Sequence, residues 1–374
     1  MTYTIVLCLS ILMFLFDYGY HQHRGTDYTG KISTTVFAVI LFALAAVRYE
    51  NAYLSDFAIN YRRIIQAKHI SWSECFTSGV AIGNAIFRKI IAEVFGNPQW
   101  YFVITSLIII CCVIYTIKKY SPSLFLPIFL FYTIGSYFTS NNITRQAMAA
   151  AIVMLSWVYI FDRKLLKFLM IVLLASTVHI SAIFFLPMYF LSEIKLGRNQ
   201  YILYLIFGMM MFVARNPIIH FFQSLVYSNY TETSYGTTGS NPLRLILTSV
   251  IAIYLYFYSK GYDNAIELAQ EKIQDRKTAI FANFIGHSTV INILFSVFSV
   301  TNMLLLSRMS MYWSFQSILC IVYATKTNGK RNRFILTAVI IAAAIIWFTV
   351  MEITGKHIPT PYTPFWMIPD RPSI

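Results

Sequence analysis

Apolar runs of 12 to 21 residues recur along the whole chain, and the short stretches between them carry most of its Lys and Arg. A backbone inside hydrocarbon must satisfy its own hydrogen bonds, so repeated runs of this kind commit a chain to helices that cross a bilayer. Composition points the same way. Of the 374 residues 57% are hydrophobic and 12% charged, with a mean hydropathy of +0.62. A soluble domain has about 25% charged residues, and half that density cannot clothe a surface in water. The 26 Tyr and 31 Phe suit a headgroup zone, where an apolar ring and a wet hydroxyl are both accommodated. The expected fold class is all-α, a polytopic transmembrane helix bundle of about 12 spans.

The runs place spans near 3–17, 32–48, 100–117, 122–138, 145–161, 165–179, 181–192, 201–214, 243–259, 279–299, 308–325 and 333–352. The stretch 165–192 reads either as one long tilted helix or as two short ones meeting near His179. Charge decides between them. With two segments, the loops at 18–31, 118–121, 162–167, 193–200, 260–278 and 326–333 share the inner side and hold 17 of the 29 Lys and Arg, as the positive-inside rule requires. With one segment, the strongly basic loop 326–333 is sent outside. Two segments follow, and both termini then face outward.

The net charge of +14 comes from clusters between apolar runs rather than from one continuous basic face, which argues against nucleic-acid binding. Cys8, Cys75, Cys111, Cys112 and Cys320 have no CxxC spacing and read as soft hydrophobes. The first run, Thr4–Phe16, lacks a basic leader and a small-residue cleavage site, so it is expected to be a span. No repeat or linker divides the chain, and residues 1–374 read as a single integral membrane domain. Two outward segments exceed ordinary turns. Within 49–99, Gly79–Phe95 has helical periodicity with Arg88, Lys89 and Glu93 on it, and is expected to be an interfacial helix. The other long outward loop is 215–242.

The outward arginines mark the functional end. Arg145, Arg244 and Arg308 each open a span from outside, while Arg48 and Arg215 lie at the outer ends of others. Asn142 or Thr144 can cap the helix of Arg145, and Asn241–Pro242 suits the start of the helix of Arg244. A helix N-terminus favours anions, and a guanidinium beside it adds fixed charge and bidentate donors. The blander alternative for each is snorkelling to lipid headgroups. Together they point to a site for a lipid-borne phosphate or diphosphate. Asp56 and Glu74 are outward carboxylates suited to act as general base; Asp56 reads equally as a solvated loop acid or a partner of Arg62 or Arg63. His179, next to Ser181 at membrane depth, is either a functional group facing a polar cavity or a satisfied core histidine. His21 and His23 have no nearby third ligand, and no DxD pair, HExxH or P-loop occurs. Chemistry without metal or cofactor is expected.

A family resemblance joins these residues. The run Asn142-Ile143-Thr144-Arg145-Gln146-Ala147-Met148-Ala149, then Lys167-Phe168, then Ala175-Ser176-Thr177-Val178-His179-Ile180-Ser181-Ala182, resembles the EpsG-type family of bacterial exopolysaccharide and O-antigen polymerases of the Wzy kind. Arg48-Tyr49…Asp56…Tyr61, Arg308…Tyr312 and Pro361-Tyr362 resemble further features of that family. Asn51–Ser55 stands where the family usually has a glycine before the early Asp.

The resemblance implies a glycosyltransferase in the bacterial inner membrane, with its active face periplasmic. It would transfer a glycan from undecaprenyl diphosphate to the non-reducing end of another lipid-linked repeat unit. It implies Arg48, Arg145, Arg244 and Arg308 at the diphosphate, and Asp56, His179 and Glu74 as catalytic candidates. Tyr53, Tyr61, Asn142, Gln146, Ser181 and Tyr312 would meet sugar. The implied partners are the undecaprenyl-diphosphate-linked oligosaccharide, membrane lipids, a chain-length regulator and a flippase, in lipopolysaccharide or exopolysaccharide synthesis. A flippase of lipid-linked oligosaccharide should show paired repeats or broken helices in both halves, and none is visible. An O-antigen ligase matches in composition. A membrane acyltransferase would place its His toward the inner face, whereas His179 is expected in the outer half.

Overall fold

A computed structural model describes residues 2–24, 29–49, 56–77, 81–214, 217, 275–297, 308–325, 330–355 and 362–367. They form an all-α membrane helix bundle. Among the described residues five stretches are long and apolar enough to cross a membrane: Thr2–His23, Gln99–Tyr120, Thr144–Phe161, Arg276–Val297 and Phe334–Thr354. Lys31–Val47, Leu165–Val178, Ile180–Leu191 and Met311–Ala324 are shorter apolar helices. The expected span 243–259 lies outside the described residues. Where the sequence reads as one domain, the helices group into two compact units. Met1–Trp157, Leu169–Ile183 and Ala338–Ile374 make the first; Val158–Phe168 and Phe184–Thr337 make the second.

In the first unit, α1 (Thr2–His23) and α2 (Lys31–Val47) form a hairpin. Its turn is fixed by Asp17, which is buried in α1 and accepts hydrogen bonds from Ser33 N (3.0 Å) and Ser33 Oγ (2.7 Å). A carboxylate facing the first turn of α2 pairs with otherwise unbonded amides and with the positive end of the helix. Strand β1 (Arg48–Tyr49) follows α2 and pairs antiparallel with β2 (Thr363–Pro364), Arg48 opposite Pro364.

The expected long loop is a packed substructure instead. Helices α3 (Asp56–Ala67), α4 (Trp72–Thr77) and α5 (Ile82–Ile90), with a π-helical turn at Ile91–Phe95, close over the start of α6 (Gln99–Tyr120). Phe57, Tyr61, Ile64, Ile91, Tyr101 and Phe102 share one apolar core, and the Phe57 and Phe102 rings stack at 3.9 Å. Burial of such rings is the main attraction holding the segment down.

The span expected at 122–138 is divided into α7 (Phe125–Thr133) and α8 (Ser136–Asn142). Gly135 causes the break: its φ of 90° is a left-handed conformation that side chains resist. Next comes α9 (Thr144–Met154), packed on α6, and a kink at Leu155–Ser156 separates it from α10 (Trp157–Phe161). Buried tyrosines tie the helices through backbone oxygens, Tyr137 Oη donating to Leu41 O and Tyr132 Oη to Tyr3 O, both at 2.8 Å.

The topology of 165–192 follows from the residues that flank it, which lie in the second unit. Helix α11 (Leu165–Val178) ends before His179, a 3₁₀ turn covers Ile180–Phe185, and α12 (Met188–Leu191) follows. Within this unit Arg163 Nη1 donates to Tyr189 O at 2.5 Å, its guanidinium lies 3.8 Å from the Tyr189 ring centroid, and Nη2 pairs with Glu193 at 2.9 Å. Residue 163 can meet 189–193 only if the chain doubles back. Two segments meeting at His179 is therefore the observed arrangement.

Glu193 also lies 3.5 Å from Arg276, and Asp162 pairs with Lys277 at 2.6 Å. Three loops assigned to the inner side by charge thus share one end of this unit. Helices α13 (Arg198–Val213), α14 (Asp275–Val297), α15 (Met311–Ala324) and the start of α16 (Lys330–Thr354) complete it. His287 is buried in α14, with Nδ1 2.7 Å from Tyr204 Oη and Nε2 2.8 Å from Ile194 O.

One side chain gathers the α2, α8 and α9 ends of the first unit. Arg48 is buried. Its Nη1 donates to Ala45 O, and its Nη2 to Asn141 O at 2.8 Å and to Thr144 Oγ1 at 3.3 Å. Gln99 Nε2 bonds Ala46 O (2.7 Å) and Arg48 O (3.1 Å) beside it. Replacing Arg48 by Leu should cost about 2 kcal/mol, because charge-assisted hydrogen bonds are lost and backbone acceptors are left buried. The protein in detergent should lose its monodisperse peak at a lower temperature; an unchanged midpoint would show that Arg48 does not hold these helices.

Candidate functional site

Helix α5 is inside out by the standards of a protein in water. Asn84, Arg88 and Lys89 are buried, while Ile82, Ile90, Val94 and Phe95 along α5 and its π turn are exposed, Val94 to 70%. This is stable where the outside is hydrocarbon and the polar face is turned into the protein. The sequence leads one to expect an interfacial helix bearing Arg88, Lys89 and Glu93; in the structure Arg88 and Lys89 are turned inward and Glu93 is exposed.

Lys89 has partners, with Nζ 2.8 Å from Glu93 Oε1 and 3.2 Å from Lys68 O. Arg88 does not share them. It is 6% exposed, and among the described residues no carboxylate pairs with it, with Arg63 or with Arg145. Burial depresses its pKa to about 10. The nearby Arg145 and Arg63 guanidiniums push it the same way, against the opposing influence of Tyr101. It therefore remains a cation at neutral pH. An uncompensated buried cation is destabilising by several kcal/mol, and a bound anion relieves that cost.

Arg145 reaches this cluster from the second position of α9. The caps expected from Asn142 or Thr144 are not formed. Ile143 stands at the cap position with no side-chain bond, and Thr144 Oγ1 instead donates to Asn141 O at 2.9 Å. The positive end of α9 thus presents Arg145 without a capping side chain in front of it.

One turn before Arg88, Asn84 is fully buried. Tyr101 Oη donates to its Oδ1 at 2.9 Å, and among the described residues Nδ2 meets no acceptor. A buried donor left so costs about 1–3 kcal/mol. Next to it, Gly83 lets α5 close on the last turn of α11. A Cβ at Gly83 would overlap Thr177 Oγ1 and stand 2.9 Å from Thr177 Cβ and 3.0 Å from Thr177 O. Two residues beyond Thr177, in the break after α11, lies half-buried His179, with Nδ1 2.6 Å from the buried Ser181 Oγ. Ser181 fixes the ring orientation. Helix α5 therefore carries the basic cluster on one turn and touches the His179 corner with another.

The remaining expected residues fall as follows. Tyr61 is buried against Phe57 and Tyr49. Gln146 is buried one residue after Arg145, and Asn142 is exposed at the end of α8. Asp56 opens α3. Glu74 forms a capping box for α4: its Oε2 accepts from Ser71 N (2.6 Å) and Ser71 Oγ (2.8 Å), and its own N–H bonds Ser71 Oγ at 3.3 Å. These bonds hold its carboxyl below the usual range. Arg48 is engaged by protein acceptors, as described above. Arg308 and Tyr312 belong to the second unit, Tyr312 buried edge-on to Trp313 at 6.2 Å. Tyr53, Arg215 and Arg244 lie outside the described residues. Arg63, Arg88 and Asn84 were not singled out as ligands by the sequence. The four-residue spacing of 84 and 88 was visible, but not which face of α5 is buried.

The fold defines a polytopic membrane helix bundle, and in its first unit a buried arginine lies within electrostatic reach of two others. The chain belongs to the EpsG family, whose model matches residues 31–364. No curated protein and no solved structure matches it. Membership supports a polysaccharide-polymerase type of function, with a glycosyltransferase-like role, in general terms.

Two substitutions separate binding from scaffolding. Arg88→Met removes a buried cation repelled by two others, so it should raise unfolding stability by about 1–2 kcal/mol while impairing function; a lower unfolding midpoint in detergent would mean that Arg88 is structural. Gly83→Ala should destabilise by about 1–3 kcal/mol through overlap with Thr177. Thr177→Ala should restore only part of that, because Thr177 O remains; full tolerance of alanine would show that the α5–α11 approach is not tight.

Proposed function

We propose that this protein is a Wzy-like polymerase of O-antigen or exopolysaccharide. It transfers a growing glycan from undecaprenyl diphosphate to the non-reducing end of another lipid-linked repeat unit at the outer face of the bacterial inner membrane. The observation that carries this reading is buried Arg88, within electrostatic reach of half-buried Arg63 and Arg145, three cations whose charge no described carboxylate neutralises. A lipid-borne diphosphate supplies the missing negative charge, and guanidiniums match its oxygens bidentately.

In this reaction the bond between the anomeric carbon and the diphosphate oxygen breaks, and a bond from the acceptor oxygen to that carbon forms. The leaving group departs as an anion and needs no protonating acid. The arginines stabilise the charge that develops on it. The acceptor hydroxyl must lose its proton. His179, oriented by Ser181 and set at the corner touched by α5, is the best placed base. Asp56 remains a second candidate, while Glu74 is held in its helix cap. Inverted burial of α5 favours a substrate that arrives from the bilayer, since its exposed apolar edge and its buried basic face adjoin.

Cells carrying Arg145→Ala should make glycan with a single repeat unit, with normal amounts of protein in the membrane. Loss of all glycan on the core would indicate a ligase, and repeat units trapped inside would indicate a flippase. Wild-type chain lengths at normal protein levels would remove Arg145 from the diphosphate site. Labelling of a cysteine at 145 only from the cytosolic side would overturn the outward placement.

A further inference from the structure

The diphosphate reading leaves Asn84 unexplained, because that residue carries no charge and already has a partner. It is fully buried, and Tyr101 Oη donates to its Oδ1 at 2.9 Å. That bond fixes the amide so that Nδ2, a pure donor, is the edge turned away from Tyr101. Among the described residues no acceptor meets Nδ2. Its nearest turn-mate on the same helical face is Arg88, also buried and also offering donors alone. Buried donors in native proteins are nearly always matched, so an unmatched one beside a guanidinium specifies what it awaits. The group that completes the pair must offer acceptors, and negative charge on them suits the guanidinium.

We propose that Asn84, oriented by Tyr101, is a specificity-determining ligand that makes this site prefer the charged, acceptor-only oxygens of a phosphoryl group over a hydroxyl. The inference rests on the diphosphate reading and adds to it a neutral residue that tells diphosphate from alcohol. A sugar or prenyl hydroxyl can accept one such bond, but it carries no charge for Arg88 and its own hydrogen finds no acceptor in either side chain. A site built to hydrogen-bond one polar group discriminates strongly against a partner that cannot complete the bond. After transfer the diphosphate stays on its lipid, so the same donors would also hold the product until it leaves.

The test uses the full-length purified protein in lipid nanodiscs, with farnesyl diphosphate and farnesol as probes. Wild type should bind the diphosphate at least a hundredfold more tightly than the alcohol. Asn84→Asp keeps the shape, loses the donor and places a carboxylate one turn from Arg88. It should raise the unfolding midpoint of the protein without probe, lower farnesyl diphosphate affinity at least tenfold, and leave farnesol affinity unchanged. Tyr101→Phe, which frees the amide to turn, should lower diphosphate affinity several-fold. If Asn84→Asp does not fold, Asn84→Ala reads the same loss of the donor. A purely structural Asn84 would give a lower midpoint with an unchanged ratio of the two affinities, and that result would overturn the proposal. Failure of wild type to prefer diphosphate would sink the underlying reading. A wild-type preference lost in Arg88→Met but intact in both Asn84 variants would sink this inference alone.

Discussion

Uncompensated positive charge inside an apolar molecule is the constraint on which the site depends. In water, α5 would turn Arg88 outward and bury Ile90, Val94 and Phe95. Here the arrangement is reversed, with Arg88 buried beside Arg63 and Arg145. Such a cluster is destabilising by itself. It is tolerated because the aromatic core of Phe57, Tyr61, Tyr101 and Phe102 and the close approach of Gly83 to Thr177 hold α5 in place. Strain of this kind is typical of a place where a ligand completes the structure.

The scaffold and the site divide the arginines between them. Arg48 and Arg145 stand at the same end of the first unit, yet their roles differ. Arg48 donates to Ala45 O, Asn141 O and Thr144 Oγ1 and joins three helix ends. That clamp positions the first turn of α9, from which Arg145 projects one residue later. His287 bridges Tyr204 and Ile194 as a core histidine, whereas His179 sits at the break after α11 with its Nδ1 beside Ser181 Oγ.

Much of the architecture was legible because bilayers read length and charge. Spans at 3–17, 32–48, 100–117 and 333–352 correspond to continuous helices, and the division of 165–192 followed from loop charge before the Arg163–Tyr189 and Arg163–Glu193 contacts displayed it. The break at Gly135 and the kink at Leu155–Ser156 were not legible, since an apolar run carries no mark of where its axis bends. Residues 49–99 were harder still. Their length announced something more than a turn, but Tyr61, read as a sugar contact, is core, and Glu74, read as a base, is a cap.

The sequence by itself determined that this chain is a helical membrane protein, which ends of its spans carry the basic loops, and which family it belongs to. Those follow from solvent transfer, from topogenic charge and from the dense motif over residues 142–182. Tertiary structure alone decided which cations meet. Periodicity places Asn84 and Arg88 on one face but is silent on whether that face looks at lipid, water or protein. Only the packing of α5 on α6, α9's neighbour, and on the last turn of α11 turns it inward, where burial converts an ordinary arginine into part of a site.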